Sequence, residues 1–309
     1  MPPLANTKLM DNLKTLLAEK GLAAGTINLY LSKLVKLNDG KPFSSIVFLK
    51  DFKKIKAKMD AMENLNTRKS FVTAVVSVLN NLGKAKEYVM VNLLYKSLLE
   101  SDKIRLMKED PHTKTPAQQA NWIEWTEIMK IENDLAQKCA DFTIEDMKTS
   151  SKRKAMIDFM TLSLYTLTPP RRNADYIMMK LCKDGKGEDE SFNYYDPKQK
   201  TFTFNIFKTH WKNGKEVIPC PLNLCKVIDK FCELFGVTDG GFILYPTDPK
   251  RVGGHITKTL NHIFQKKVGA SMLRHFYDTY KYGDIIKEMT KDAHMMAHSV
   301  AEQSNYVKF

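Results

Sequence analysis

Thr201-Phe-Thr-Phe-Asn-Ile-Phe-Lys208, then the polar stretch Lys212-Asn-Gly-Lys215, then Glu216-Val-Ile-Pro-Cys220 is the segment on which the fold turns. The first piece alternates with period two and Asn-Gly supplies a turn, so the segment predicts a β-hairpin with Lys208 at its tip. The surrounding residues follow a period of 3.6 instead. Helices are expected at about 123–141 and 150–168 before the hairpin, and at about 222–235, 254–266, 271–281 and 284–290 after it. The fold class that follows is mainly α with a small antiparallel β-sheet.

The helical period continues towards the N-terminus. Leu9, Leu13, Leu16 and Leu17 share one face over about 7–20, with Asn6 or Thr7 as N-cap and Gly21 as the stop. Ile27, Tyr30, Leu31 and Leu34 do the same over about 26–38, and a third helix is expected at about 50–62. Phe71, Val75, Val78, Leu79 and Leu82 repeat between Asn66-Thr67 and Gly83, and a fifth helix runs from about 86 to 108. Residues 1–110 therefore read as a helical domain and 121–309 as a second one. Between them, 111–120 has two prolines and no periodicity, which predicts a linker.

Composition narrows the function classes. The chain of 309 residues carries a formal charge of +13, which favours a polyanionic partner, nucleic acid first. Residues 1–113 hold 19 Lys+Arg against 11 Asp+Glu (+8), leaving 29 against 24 (+5) for the rest. The five cysteines form no CxxC pair and read as reduced, packed thiols. No apolar run approaches the ~18 residues of a membrane span, and no signal pattern opens the chain. A soluble cytosolic, nuclear or virion-associated protein is expected.

Four separated groups could carry chemistry. Thr168-Pro-Pro-Arg171-Arg172-Asn-Ala-Asp175 ends a helix and leaves two guanidinium groups at a turn, where they clamp a phosphate or simply pair with Asp175. Lys208 is a general acid or a solvated lysine. In Gly269-Ala-Ser271-Met-Leu-Arg274-His275, Ser271 and Arg274 share a helical face, and the plain reading of His275 is a buried structural histidine. Last come Ala297-His298-Ser299 and Tyr306, which in isolation are unremarkable.

Taken in order, these groups resemble the tyrosine recombinase/integrase family, in its phage and virus types. Its T-G-L-R-x-x-E box is similar to Thr168-Pro-Pro-Arg171-Arg172-Asn-Ala-Asp175 with Arg172 in register. Its H-x-L-R-H box resembles Ser271-Met-Leu-Arg274-His275, its G-H-S box resembles Ala297-His298-Ser299, and its hairpin lysine matches Lys208. The chain departs from the pattern in having Ser271 for His, Ala297 for Gly, and an interval from His298 to Tyr306 one residue shorter than usual.

The resemblance implies a core-binding (SAM-like) helical domain followed by a catalytic domain that together clamp double-stranded DNA, as a homotetramer on DNA and a monomer in solution. It implies that Arg172, Arg274 and His298 hold the phosphate, Tyr306 forms a 3′-phosphotyrosyl bond and Lys208 protonates the 5′ oxygen. Neither metal nor cofactor is implied. Asp175 and His275 would support these groups, with His275 beside Arg274. Ser271 would donate a hydrogen bond where a histidine usually stands. Lys53, Lys54, Lys56, Lys58 and Arg171 are the candidate DNA contacts. Only three residues follow Tyr306, so subunits are expected to meet without an exchanged C-terminal tail. A type IB topoisomerase and a catalytically inactive DNA-binding relative remain alternatives.

Overall fold

Two segregated sets of apolar side chains organise the computed structural model, which describes residues 7–82, 86–108, 112–183, 187, 189–244 and 249–308. Asn6, Gly83 and Pro111 of the sequence reading lie outside these residues. The chain divides into two units, Met1–Thr113 and Lys114–Phe309.

The first unit consists of α1 (Lys8–Glu19), α2 (Ala24–Leu37), α3 (Phe52–Asp60), α4 (Leu65–Leu82) and α5 (Lys86–Met107). Thr7 is the cap of α1: its hydroxyl accepts from the Met10 amide at 3.3 Å, and Gly21 at φ +77° ends the helix. α4 begins at Leu65, one to two residues before the expected Asn66-Thr67 start, because Asn64 accepts from the Thr67 amide at 2.8 Å. Leu13, Leu17, Leu34, Val75 and Leu79 fill the core around α4. Arg68 of α4 meets Asp60 at 3.0 Å and the fully buried Asp102 at 3.1 Å, tying three helices together by charge.

The second unit opens with α6 (Pro116–Ala120), α7 (Trp125–Cys139), α8 (Ser150–Thr166) and α9 (Asn173–Ile177). Part of the expected linker is therefore helical. Thr115 and Gln118 form a reciprocal capping box with Pro116 at the first helical position, a local signal too short to show periodicity. β1 (Met179–Leu181), β2 (Asn193–Asp196), β3 (Thr201–Phe204) and β4 (Glu216–Pro219) form one sheet in chain order, with α10 (His210–Asn213) between the last two. α11 (Leu222–Leu234), α12 (Pro249–Phe264), α13 (Ala270–Met295) and α14 (Val300–Tyr306) follow. α8 is the buried hub: Met156, Met160, Leu162, Leu164 and Tyr165 are fully enclosed, and only its opening stretch Ser150-Ser-Lys-Arg-Lys154 is exposed throughout.

The expected class, mainly helical with a small sheet, is what the chain adopts. The sheet differs in detail: it is mixed, since β1 pairs with β2 in parallel and only the other pairings are antiparallel. β3 also stops at Phe204, because Asn205 and Ile206 turn their amides to the Asn193 side chain at 2.9 and 2.8 Å. Lys208 therefore lies in a long connection and not on a strand end. The two helices expected around Gly283 are one, α13. Its helix formers and the Asp284–Lys287 pair at 2.9 Å outweigh the roughly 1 kcal/mol cost of one glycine. Among the described residues, no helix is long and apolar enough to cross a membrane.

Candidate nucleic-acid reaction site

Pro169 and Pro170 cannot extend α8, so the chain turns there and presents Arg171 and Arg172 in succession. Their surroundings diverge. Arg171 sends Nε to Asp175 Oδ2 at 2.9 Å and Nη2 to Glu216 Oε2 at 3.4 Å, and its guanidinium lies 3.8 Å from the Phe204 ring centre. The partner of Asp175 is thus Arg171, not Arg172. Burial pushes the Asp175 carboxyl up, and the Arg171 hydrogen bond and charge oppose that shift. As a DNA contact, Arg171 is engaged elsewhere: it fastens the β3–β4 connection, which carries the exposed Lys208, to the arginine turn.

Arg172, by contrast, caps α9 by position and lines a cavity of about 370 Å³ with Asn173, Thr257, Gly269, Ser271 and Arg274. Arg274 stands one turn into α13 from Ser271, so both reach the same opening. The structure brings together three of the expected residues: Arg172, Ser271 and Arg274. Among the described residues neither arginine has an ion-pair or hydrogen-bond partner. The α13 N-terminus, whose cap Gly269 has no side chain, adds the positive end of a helix dipole to the same cavity. Two unpaired guanidinium groups, a hydroxyl and a helix N-terminus suit a phosphate.

Three lining residues escaped the sequence reading. Asn173 accepts from the Tyr165 hydroxyl at 2.7 Å and donates to Thr257 at 3.4 Å, which holds α9 against α12 beside the arginines. Gly269 was legible as an N-cap ahead of a helical run. Nothing in the residues flanking Thr257 announced it.

His275 departs from expectation. It is exposed and has no hydrogen-bond partner among the described residues, because adjacent helical residues diverge and α13 turns Phe276 into the core instead. It does not brace Arg274.

His298 and Tyr306 form a separate pair. Their ring centres are 5.8 Å apart, and His298 Nε2 is buried without a partner. Ser299 caps α14 through the Glu302 amide at 3.1 Å, and Ala297 has φ +57°, the left-handed backbone for which the resembled box uses glycine. The His298 amide donates to the Ala293 carbonyl at 3.0 Å, which keeps the pair at the far end of α13. At the helical rise of about 1.5 Å per residue, Ala293 lies about 28 Å from Arg274. One chain does not bring Tyr306 to the arginine cavity.

In the first unit, Lys53 and Lys54 are exposed and unpaired among the described residues. Lys56 meets Asp60 at 2.5 Å, and Lys58 meets Asp39 at 2.6 Å and the Leu37 carbonyl at 2.7 Å, so these two serve the fold. All five cysteines are buried free thiols, and burial pushes Cys139 up to about 11 and Cys232 up to about 12, which keeps them unreactive. Among the described residues no group of His, Cys, Asp or Glu side chains is arranged to hold a metal ion. No protein-family model matches the chain, and no curated protein matches it.

Proposed function

We propose that this protein cuts and rejoins double-stranded DNA through a 3′-phosphotyrosyl intermediate, as a site-specific recombinase or integrase. The observation that carries the reading is the cavity where Arg172 and Arg274 converge on the N-terminus of α13, neither of them in an ion pair among the described residues. A phosphodiester entering it finds charge for its non-bridging oxygens, with Ser271 donating a further hydrogen bond.

The bond forms between the Tyr306 oxygen and phosphorus, and the bond from phosphorus to the 5′ oxygen breaks. The tyrosine proton passes to the neighbouring His298, whose Nε2 is unpartnered, and Lys208 returns a proton to the 5′ oxygen. The energy of the cleaved ester stays in the phosphotyrosine, so rejoining needs no nucleotide.

The distance between Tyr306 and the arginines within one chain favours a second reading, a DNA-binding relative without activity. A pool of nicked duplexes of randomised sequence separates the two. Wild-type protein should give a denaturation-resistant protein–DNA band that Tyr306→Phe lacks while still binding DNA. Absence of the band from the wild type would leave only the inactive reading. Persistence in Tyr306→Phe would move the nucleophile to Tyr282, about 12 Å along the helix from Arg274.

A further inference from the structure

Trp211 stands 78% exposed on α10, whereas the other two tryptophans pack edge-on against aromatic rings, Trp122 on Phe276 at 4.9 Å and Trp125 on Tyr277 at 5.3 Å. Nothing in the fold of its own turn calls for an indole. Main-chain bonds close that turn: the Lys212 and Asn213 amides donate to the Thr209 carbonyl at 3.0 and 3.1 Å, and the Gly214 amide donates to the His210 carbonyl at 2.7 Å, with Gly214 at φ +71°. A large aromatic left in water by a turn that forms without it marks a surface that something else covers.

The connection that carries it is basic and fixed in place. Lys208, Lys212 and Lys215 are exposed and without an ion-pair partner among the described residues, and no acidic residue lies between 205 and 215. Glu216, next in the chain, is turned to Arg171 at 3.4 Å. His210 is held through Nδ1 to the Phe207 carbonyl at 2.9 Å, and the Arg171 guanidinium lies 5.6 Å from the centre of the buried Phe207 ring. Trp211 therefore belongs to the same framework as the arginine turn, whose next residue, Arg172, lines the arginine cavity.

We propose that Trp211 is a stacking site for an unpaired nucleobase, with Lys212 and Lys215 on the phosphates to either side of that base. An aromatic face among uncompensated cations matches a nucleotide, which carries a π face and a negative charge together. The base has to be unpaired, because stacked pairs in a duplex offer side chains their edges and not their faces. This deepens the phosphotyrosyl reading and rests on it for the reaction: it names the substrate as a duplex opened near the cleaved phosphate. A cut end joins a different strand only once its neighbouring bases have left their own partners, and an indole that holds one such base out favours that state. Lys208 stays free to protonate the 5′ oxygen.

Binding to two labelled DNAs tests this, a single strand of randomised sequence and a fully paired duplex of the same length. Trp211→Ala should weaken the single-strand complex by roughly tenfold or more, with little change on the duplex. Its melting temperature should stay that of the wild type, and Trp211→Phe, which keeps an aromatic face, should recover most of the single-strand affinity. Replacing Lys212 and Lys215 together with alanine should weaken both complexes and flatten the salt slope on the duplex by about 2. Equal losses on the two DNAs in Trp211→Ala, or no loss on either, would overturn the stacking site. Tryptophan and lysine also suit a lipid surface, so the same variant is tried against vesicles of anionic lipid. Loss of vesicle binding with single-strand affinity unchanged would overturn the nucleobase in favour of lipid. None of these measurements needs a cleaved strand, so they fail separately from the covalent band of Tyr306.

Discussion

Arg171 and Arg172 are neighbours in the chain, yet the first is locked to Asp175, Glu216 and two aromatic rings while the second faces a cavity. Arg171→Ala would strip the buried Asp175 of its partner, at a cost of about 3 kcal/mol. For a unit of this size that lowers the melting temperature by about 6–12 °C. The sign of the pH effect follows from Asp175. Its carboxyl is already pushed up by burial and would rise further without Arg171, so the folded state holds a proton that the unfolded state releases. Stability of the variant should then fall as pH rises from the ordinary carboxylate value through the raised one. The deficit should be smaller at acidic than at neutral pH. Arg172→Ala should melt nearly as the wild type while losing the covalent band. Calorimetry at both pH values checks the pair, and a larger melting loss in Arg172→Ala would reverse the two roles.

Among the elements, α13 matters most because its continuity sets the distance between the two halves of the chemistry. A Cβ at Gly283 meets nothing closer than 3.6 Å, so Gly283→Ala should stabilise the helix by about 1 kcal/mol, or about 2–4 °C. If the continuous helix is the working form, that variant should keep its covalent band. A band lost while the melting temperature rises would mean that α13 must break at Gly283 for Tyr306 to act. The β3–β4 connection shows a related effect on a smaller scale. The Asn193 side chain ends β3 early, and the packing of Arg171 on Phe204 and Phe207 holds the residue before the exposed Lys208 beside the arginine turn.

For the whole molecule, the excess of basic residues is larger in the first unit, but its candidate lysines are not equivalent. Lys53 and Lys54 project from α3 unpaired, while Lys56 and Lys58 hold acidic or carbonyl partners within the unit. Replacing Lys53 and Lys54 together with alanine should weaken binding to duplex DNA. It should also flatten the slope of log affinity against log salt by about 2, one counterion per lost phosphate contact. Lys58→Ala should lower the melting temperature instead. Fluorescence anisotropy across a salt series decides this, and an unchanged slope in the double variant would remove α3 from the DNA surface.

The long helices of both units as far as α12, the α1 signals at Thr7 and Gly21, and the presence of a small sheet were legible in the residues, because each rests on local periodicity or a local hydrogen bond, whereas the short α6, α9, α10 and α14 were not. So were Arg172, Ser271 and Arg274, which share the cavity despite the long interval between them. What could not be read was everything decided by contacts distant in sequence. Which arginine pairs with Asp175 depends on Glu216 and Phe204, brought close by β3 and β4. The three-residue β1 exists only because β2 and residues near 241 bond to it. The continuity of α13 is a balance in which one glycine is outweighed by its neighbours. A break at Gly283 and a straight helix satisfy the same sequence pattern, and packing at Leu273 and Phe276 fixes only the helix start. That balance sets the roughly 28 Å between Arg274 and the end of the helix, a separation no residue pattern contains.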